Sequence, residues 1–336
     1  MIDPVDYRPL LAELGLAADE AAHVQASAAG SWVRLVQIRQ TLAEADIPAD
    51  IGVFAVGSLG RFESSAESDL DFAVVYFGDV VDPDEARRVR QALVATLRPH
   101  GHAILDKTFH AAVDLQGLLR DIGGQGDTNE HLTYRALLLT EGVWLANAAA
   151  ADAITDALFA AYASGATTRG RFLSSLQNDL HRYYRTICVD YRFKVENAGK
   201  HWAIRYFKLR HARKLWHLAN LTVFCRAARV ADEERDTHLA KELRRPPLLR
   251  IADALRALGG LGLCGDLLRA YDGYLAALAD PEVRRALDRI DYAARERDPL
   301  FVRLRDGADR LDAAAQAVVR HLWVHCHEHL VRYGLL

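Results

Sequence analysis

Asp69 and Asp71 stand one residue apart in Ser68-Asp69-Leu70-Asp71, and the chain runs from them directly into the apolar Phe72-Ala73-Val74-Val75. In a strand, side chains two residues apart share a face. Two ionised carboxylates so placed repel one another, and charge at the head of a buried run is costly unless a partner neutralises it. A divalent cation does this, and hard carboxylate oxygens suit Mg²⁺ or Mn²⁺. Upstream, Gly57 and Ser58 follow the apolar residues 51–56 in what reads as a tight turn. There the Ser58 hydroxyl and nearby backbone N–H groups can hold a phosphate at a helix N-terminus. Arg61, one turn later, can pair with the same anion. Metal-binding carboxylates beside a phosphate-binding turn point to a triphosphate.

The elements that must position these residues are legible from apolar patterning. Residues 6–46 read as helices, ended by Pro48. Residues 51–56 and 70–77 read as short strands rich in Val and aromatics, joined by a polar segment. Residues 82–101 read as a helix started by Asp82 or Asp84 and stopped by Pro99 and Gly101. Residues 102–113 alternate as a third strand, and 131–147 follow a Gly-rich loop as a helix. From residue 151 onward the period is helical, with turns near Gly165, Asn197-Ala198-Gly199, Pro246-Pro247, Gly259-Gly260 and Pro281. A small domain of strands and helices followed by an all-helical one, with a boundary near residue 150, is the expected organisation.

Composition sets the class. The chain has 336 residues and a net charge of -3, so it reads as a globular protein without the basic excess of a general nucleic-acid binder. No secretory n-region and no run of about 18 apolar residues is present, which places the expected protein in the cytoplasm and off the membrane. Cys188, Cys225, Cys264 and Cys326 are far apart and form no C-x-x-C pair, as scattered free thiols do. Only six Lys are present against many Arg, and four of the six lie within residues 194–214. Lys and Arg bind phosphate differently, so point charges gathered in one stretch are a second candidate site.

The stretch VGSLGRFESSAESDLDFAVV, residues 56–75, resembles the signature of the DNA polymerase β-type nucleotidyltransferases: Gly-Ser, then Arg, then Ser-Asp-x-Asp ahead of an apolar strand. Within that superfamily it is most similar to the branch of the PII-protein uridylyltransferases and the DUF294-type nucleotidyltransferases. Residues 182–215, RYYRTICVDYRFKVENAGKHWAIRYFKLRHARKL, resemble the helical domain appended in that branch. The resemblance implies an α+β fold. It comprises an N-terminal helical segment (1–48), a mixed-sheet nucleotidyltransferase core (49–150) and a helical-bundle substrate domain (151–336).

The implied reaction moves a nucleoside monophosphate from an NTP to a hydroxyl acceptor, a small molecule or a protein, with pyrophosphate leaving and two metal ions assisting. Gly57 and Ser58 would hold the triphosphate, Asp69 and Asp71 the metals, and Arg61 the loop or the phosphates. The family takes a third carboxylate from a neighbouring strand. Asp106 is the candidate here; Asp114 has the same parity nearer the strand end, and His110 shares the face. An NTP would lie in a cleft between core and helical domain. The alternative is a module that binds NTP on the same fold with little or no turnover.

In the helical domain, Asp179, Arg182, Thr186, Asp190 and Lys194 form a polar stripe opposite Leu180, Tyr184, Ile187 and Tyr191. The next helix carries Lys200, Arg205, Lys208 and His211 near one side, with Trp202, Phe207, Leu215 and Trp216 available for packing. Lys194, Arg205 and Lys208 are the candidates for holding phosphates or acceptor; two core helices with solvated basic faces are the plainer reading. Interleaved basic and aromatic residues also suit single-stranded nucleic acid, which the acidic balance disfavours. His321, His325 and His329 recur at four-residue steps without H-E-x-x-H, and read as structural.

Overall fold

A computed structural model of the chain describes residues 4–104, 109–164, 173–196 and 201–335. Two compact units are present, the first built mainly from residues 28–173 and the second mainly from 6–27, 174–242 and 246–336. In chain order come α1 (Arg8–Glu13), α2 (Ala22–Leu42), β1 (Ile51–Ala55), the single turn α3 (Gly57–Gly60) and β2 (Phe72–Tyr76). There follow α4 (Pro83–Leu97), β3 (Ala112–Asp114), α5 (Leu115–Arg120), α6 (Asn129–Glu141), β4 (Val143–Ala146) and α7 (Ala148–Ala163). The remainder is helical: α8 (Ser174–Glu196), α9 (Trp202–Lys208), α10 (Lys214–Ala227), α11 (Arg235–Leu243), α12 (Pro247–Ala257), α13 (Cys264–Ala279), α14 (Pro281–Leu287) and α15 (Pro299–His329). The fold is thus mixed α+β, mostly helical, with one small mixed sheet.

The first unit holds the sheet, in the order β3-β2-β1-β4. β1 is antiparallel to β2 and to β4, whereas β2 and β3 are parallel. Every residue of β1 and β2 is buried, as expected of central strands covered on both faces, so they read as continuous apolar runs. Gly52 lets α7 approach β1, since a Cβ there would lie 2.7 Å from Ile154 Cδ1. α7, which begins just before the boundary expected near residue 150, is part of this unit. α4 starts as expected at Asp82, whose carboxylate accepts the Asp84 and Glu85 N–H groups, with Pro83 at the first helical position.

Two expectations need correction. The strand expected over 102–113 is regular only over Ala112–Asp114, and residues 105–108 lie outside the described residues. The helix expected over 131–147 ends at Glu141, and residues 143–146 form β4 instead. Gly142 breaks the helix: a Cβ there would lie 2.4 Å from the Leu138 carbonyl oxygen. Val143-Trp144-Leu145 then alternates buried and half-buried as an edge strand does.

The second unit packs its helices around Phe207, Trp216, Phe224 and Tyr271, all essentially buried. α10 and α12 share the fully buried Arg250, whose Nη1 donates to Asn220 Oδ1 at 2.5 Å. Asp272 of α13 accepts the His23 and Val24 N–H groups at 2.7 and 2.8 Å, which caps the start of α2. Between α9 and α10 lies one π turn, Leu209–Arg213. The four cysteines are free thiols. Among the described residues no helix is long and apolar enough to cross a membrane.

Candidate functional site

The polar segment between β1 and β2 is folded back so that its two ends meet. The Asp71 carbonyl accepts the Val56 N–H at 3.0 Å, one rung beyond the Ala55–Phe72 pair. Asp69 and Asp71 therefore stand on the approach to β2, both half-buried; the strand begins at Phe72, two residues later than expected. Next after Val56 is Gly57, at φ +69, a backbone conformation that L side chains rarely adopt. A Cβ on Gly57 would lie 2.9 Å from Asp71 Oδ2. The carboxylate is thus packed against a bare α-carbon, and Ser58 follows immediately. The Ser58 hydroxyl is half-exposed and has no hydrogen-bond partner among the described residues.

Glu141, the last residue of α6, organises this turn from beneath. Its side chain is fully buried; one carboxylate oxygen accepts the Gly57 N–H at 2.9 Å and the other accepts from Arg61 Nη1 at 2.7 Å. Arg61 Nε donates to Glu63 Oε2, also at 2.7 Å, and Arg61 is itself buried. The guanidinium thus braces the loop between two carboxylates. The expected anion site at the helix N-terminus is also reduced, because α3 is a single turn and Glu141 already holds its first N–H. Gly60 completes the fit, since a Cβ there would lie 2.0 Å from the Glu141 carbonyl oxygen.

The outer part of the loop is tied to α2. The buried Ser31 hydroxyl accepts the Ser64 N–H at 3.0 Å, and Arg34 Nη1 donates to the Ser68 carbonyl at 3.0 Å. Arg34 lies close enough to Asp69 for the carboxylate to favour its charge, although burial, the larger effect, draws its pKa down. His102 is held below the usual histidine range, first by burial and then by the Arg34 charge. Phe62 is buried at φ +61, an uncommon conformation for a bulky residue, and its N–H reaches the Leu59 carbonyl. Strain of this kind persists where the surroundings over-determine the backbone.

Asp106 lies outside the described residues. Asp114 caps α5, accepting the Gln116 and Gly78 N–H groups at 3.0 and 3.1 Å. The parallel register places it beside Tyr76, at the opposite end of β2 from Asp71. Carried back from Val74–Ala112, the same register sets the exposed His110 level with Phe72, the neighbour of Asp71. His110 is fixed from both sides: Arg90 donates to the Phe109 carbonyl and Tyr134 to the Ala111 carbonyl.

Among the described residues no group of three or more His, Cys, Asp or Glu is arranged to hold a metal ion. Asp71 sets hard carboxylate oxygens beside the space that a side chain on Gly57 would fill, and Asp69 stands two residues before it; carboxylate oxygens of this kind fit the chemistry of a Mg²⁺-type ion.

Lys194, Arg205 and Lys208 belong to the second unit. Lys194 pairs with Asp190 on the same helix, Arg205 is half-buried on α9, and Lys208 is exposed at its end. Lys200 lies outside the described residues. His211 is not on the basic face where it was expected. It is buried, its Nδ1 lies 2.9 Å from the Phe207 carbonyl, and its ring stacks on Tyr274. The π turn is the reason, because its extra residue shifts the phase of the helix. His321 Nε2 meets the Leu258 carbonyl, whereas His329 Nε2 meets Gln177.

No protein-family model matches the chain, and no curated protein matches it.

Sequence spacing pointed to Gly57, Ser58, Asp69 and Asp71, and the structure brings Asp71 against Gly57. The spacing missed Glu141 and Arg34, which reach the loop from α6 and α2 and carry no local signature.

Proposed function

We propose that the first unit is a nucleotidyltransferase, moving a nucleoside monophosphate from an NTP to a hydroxyl acceptor with release of pyrophosphate. The observation that carries this reading is the packing of the Asp71 carboxylate against the α-carbon of Gly57, with Ser58 next in the chain. It brings a hard-oxygen donor to the turn that carries a hydroxyl suited to phosphate, and Ser58 and Asp71 are thirteen positions apart in sequence. Asp69 and Asp71 would hold Mg²⁺ or Mn²⁺, and Asp106 would be the third ligand. The bound ion would neutralise charge on the phosphates and lower the pKa of the acceptor hydroxyl.

The chain's own residues do the rest. Gly57 keeps its Cα face clear, so that the Asp71 carboxylate can pack against it. Glu141 and Arg61 fix the loop from the buried side, so that no reorganisation is needed when the triphosphate binds. Arg34 balances the charge of Asp69 in the absence of ligand.

Pyrophosphate release tests this. The protein is incubated with each NTP and Mg²⁺ across a panel of hydroxyl acceptors: aminoglycosides, small metabolites, proteins and RNA ends. Release that depends on one acceptor class supports the transferase. NTP binding without release across the whole panel would replace it with a binding module on the same fold.

A further inference from the structure

Within the second unit, α8, α10 and α15 line an open cleft of about 390 Å³, inside the size range of small-molecule pockets. Helical spacing explains why it exists. On α10, Lys214, His217, Leu218 and Leu221 recur at three- and four-residue steps and so line one face. On α15, Asp312, Gln316 and Arg320 form one row and Ala315 and Val319 the row beside it. Ala315 is buried where a larger side chain would close the gap, and space remains.

The charges of the lining are unequal. Asp312 takes both Lys214 and Arg210, and Arg210 also reaches Asp309 at 2.8 Å, so two cations meet two carboxylates. Arg320 has only the neutral Gln316 Oε1, at 3.3 Å, and no carboxylate partner among the described residues. One positive charge is left over at that end. The opposite wall is aromatic: the His217 ring stacks on Tyr184 at 4.2 Å and meets His181 edge-on at 5.0 Å. Burial pushes His217 down to about 3, so its ring is neutral. Its Nδ1 is buried without a hydrogen-bond partner, a condition that native interiors rarely leave unmet.

We infer that this cleft binds a small aryl carboxylate, its flat ring among Tyr184, His217, Leu221 and Val319 and its anionic group at Arg320 and Gln316. The apolar walls select a flat body, and Arg320 selects one negative charge. Nothing in this assignment uses Asp69 or Asp71.

Calorimetric titration of the full chain with indole-3-acetate, phenylacetate and 1-naphthoate, each beside its neutral amide, tests it. At least one acid is expected to bind saturably, and more tightly than its amide by roughly tenfold, the worth of one charge-assisted contact. Arg320→Gln, at an exposed position, should reduce the acid to the level of its amide. Ala315→Phe should fill the cleft and abolish both, with cooperative thermal melting retained. The Asp69→Asn/Asp71→Asn variant should bind the acid as the wild type does, which separates this site from the nucleotide reading. Absence of binding by all three acids to folded protein, equal affinity for acid and amide, or an unchanged affinity in Arg320→Gln would overturn the assignment.

Discussion

Gly57 is the residue that the local geometry constrains most. Its positive φ and the nearby Asp71 carboxylate both exclude a side chain. Gly57→Ala should cost about 1–2 kcal/mol from the left-handed conformation alone, lower the melting temperature, and displace the carboxylate so that turnover is lost. Ser58→Ala makes a useful contrast, because its hydroxyl has no partner among the described residues. Stability should be unchanged while KM for the NTP rises, and a parallel loss of stability would argue for a structural hydroxyl. Asp69→Asn and Asp71→Asn are half-buried changes of nearly equal volume, and each should lower kcat by roughly 10²–10³-fold or more with cooperative melting retained. At this scale the sequence was informative wherever polar residues interrupt an apolar pattern, since Asp69, Asp71, Gly57 and Ser58 all stand at the edges of strand-like runs. Glu141 was invisible for the opposite reason. It is the last residue of a helix, an ordinary place for a carboxylate, and its partner Gly57 is 84 positions away.

At the scale of elements, the brace between α6 and the β1–β2 loop decides whether the site is preformed. Glu141→Ala would leave the Gly57 N–H unpaired and the buried Arg61 with less compensating charge. Removing one partner of a buried ion pair costs about 3–5 kcal/mol, and urea unfolding should show a loss of that order. Glu141→Gln keeps an acceptor for the Gly57 N–H and should lose less; equal losses would mean that the ion pair contributes little beyond the hydrogen bond. Elements were legible where one period holds along their length. β1, β2 and α4 emerged from apolar runs and an Asp-Pro cap, close to their observed bounds. β4 was absorbed into a helix because only Gly142 separates it from α6, and four residues are too few to establish a period of two. His211 was misplaced because a projection at 3.6 residues per turn fails across the π turn.

At the scale of the whole molecule, the chain divides into a unit containing the sheet and an all-helical unit, and the second carries a pH dependence of its own. Burial is the largest cause in each of three depressed histidines: His211 and His329 are drawn down to about 4 and His217 to about 3. The Phe207 carbonyl and Asp312 oppose the shift at His211, and Arg210 and Lys214 add to it. In the unfolded chain these imidazoles titrate near about 6.5. Below that value the unfolded state binds more protons, so their contribution to stability is fully present above about pH 6.5 and is lost as pH falls toward 4. His211→Gln should flatten the melting temperature between those values relative to wild type, and an unchanged profile would show that carboxylates elsewhere set it.

The claim on which the functional account rests is that Asp69 and Asp71 bind metal for a nucleoside triphosphate, and calorimetry tests it most directly. ATP, UTP, CTP and GTP are titrated, with and without Mg²⁺, into wild type and the Asp69→Asn/Asp71→Asn variant. The account predicts Mg²⁺-dependent binding of one NTP that disappears in the variant. Absence of binding to any NTP by folded wild type, or equal binding by the variant, would contradict it.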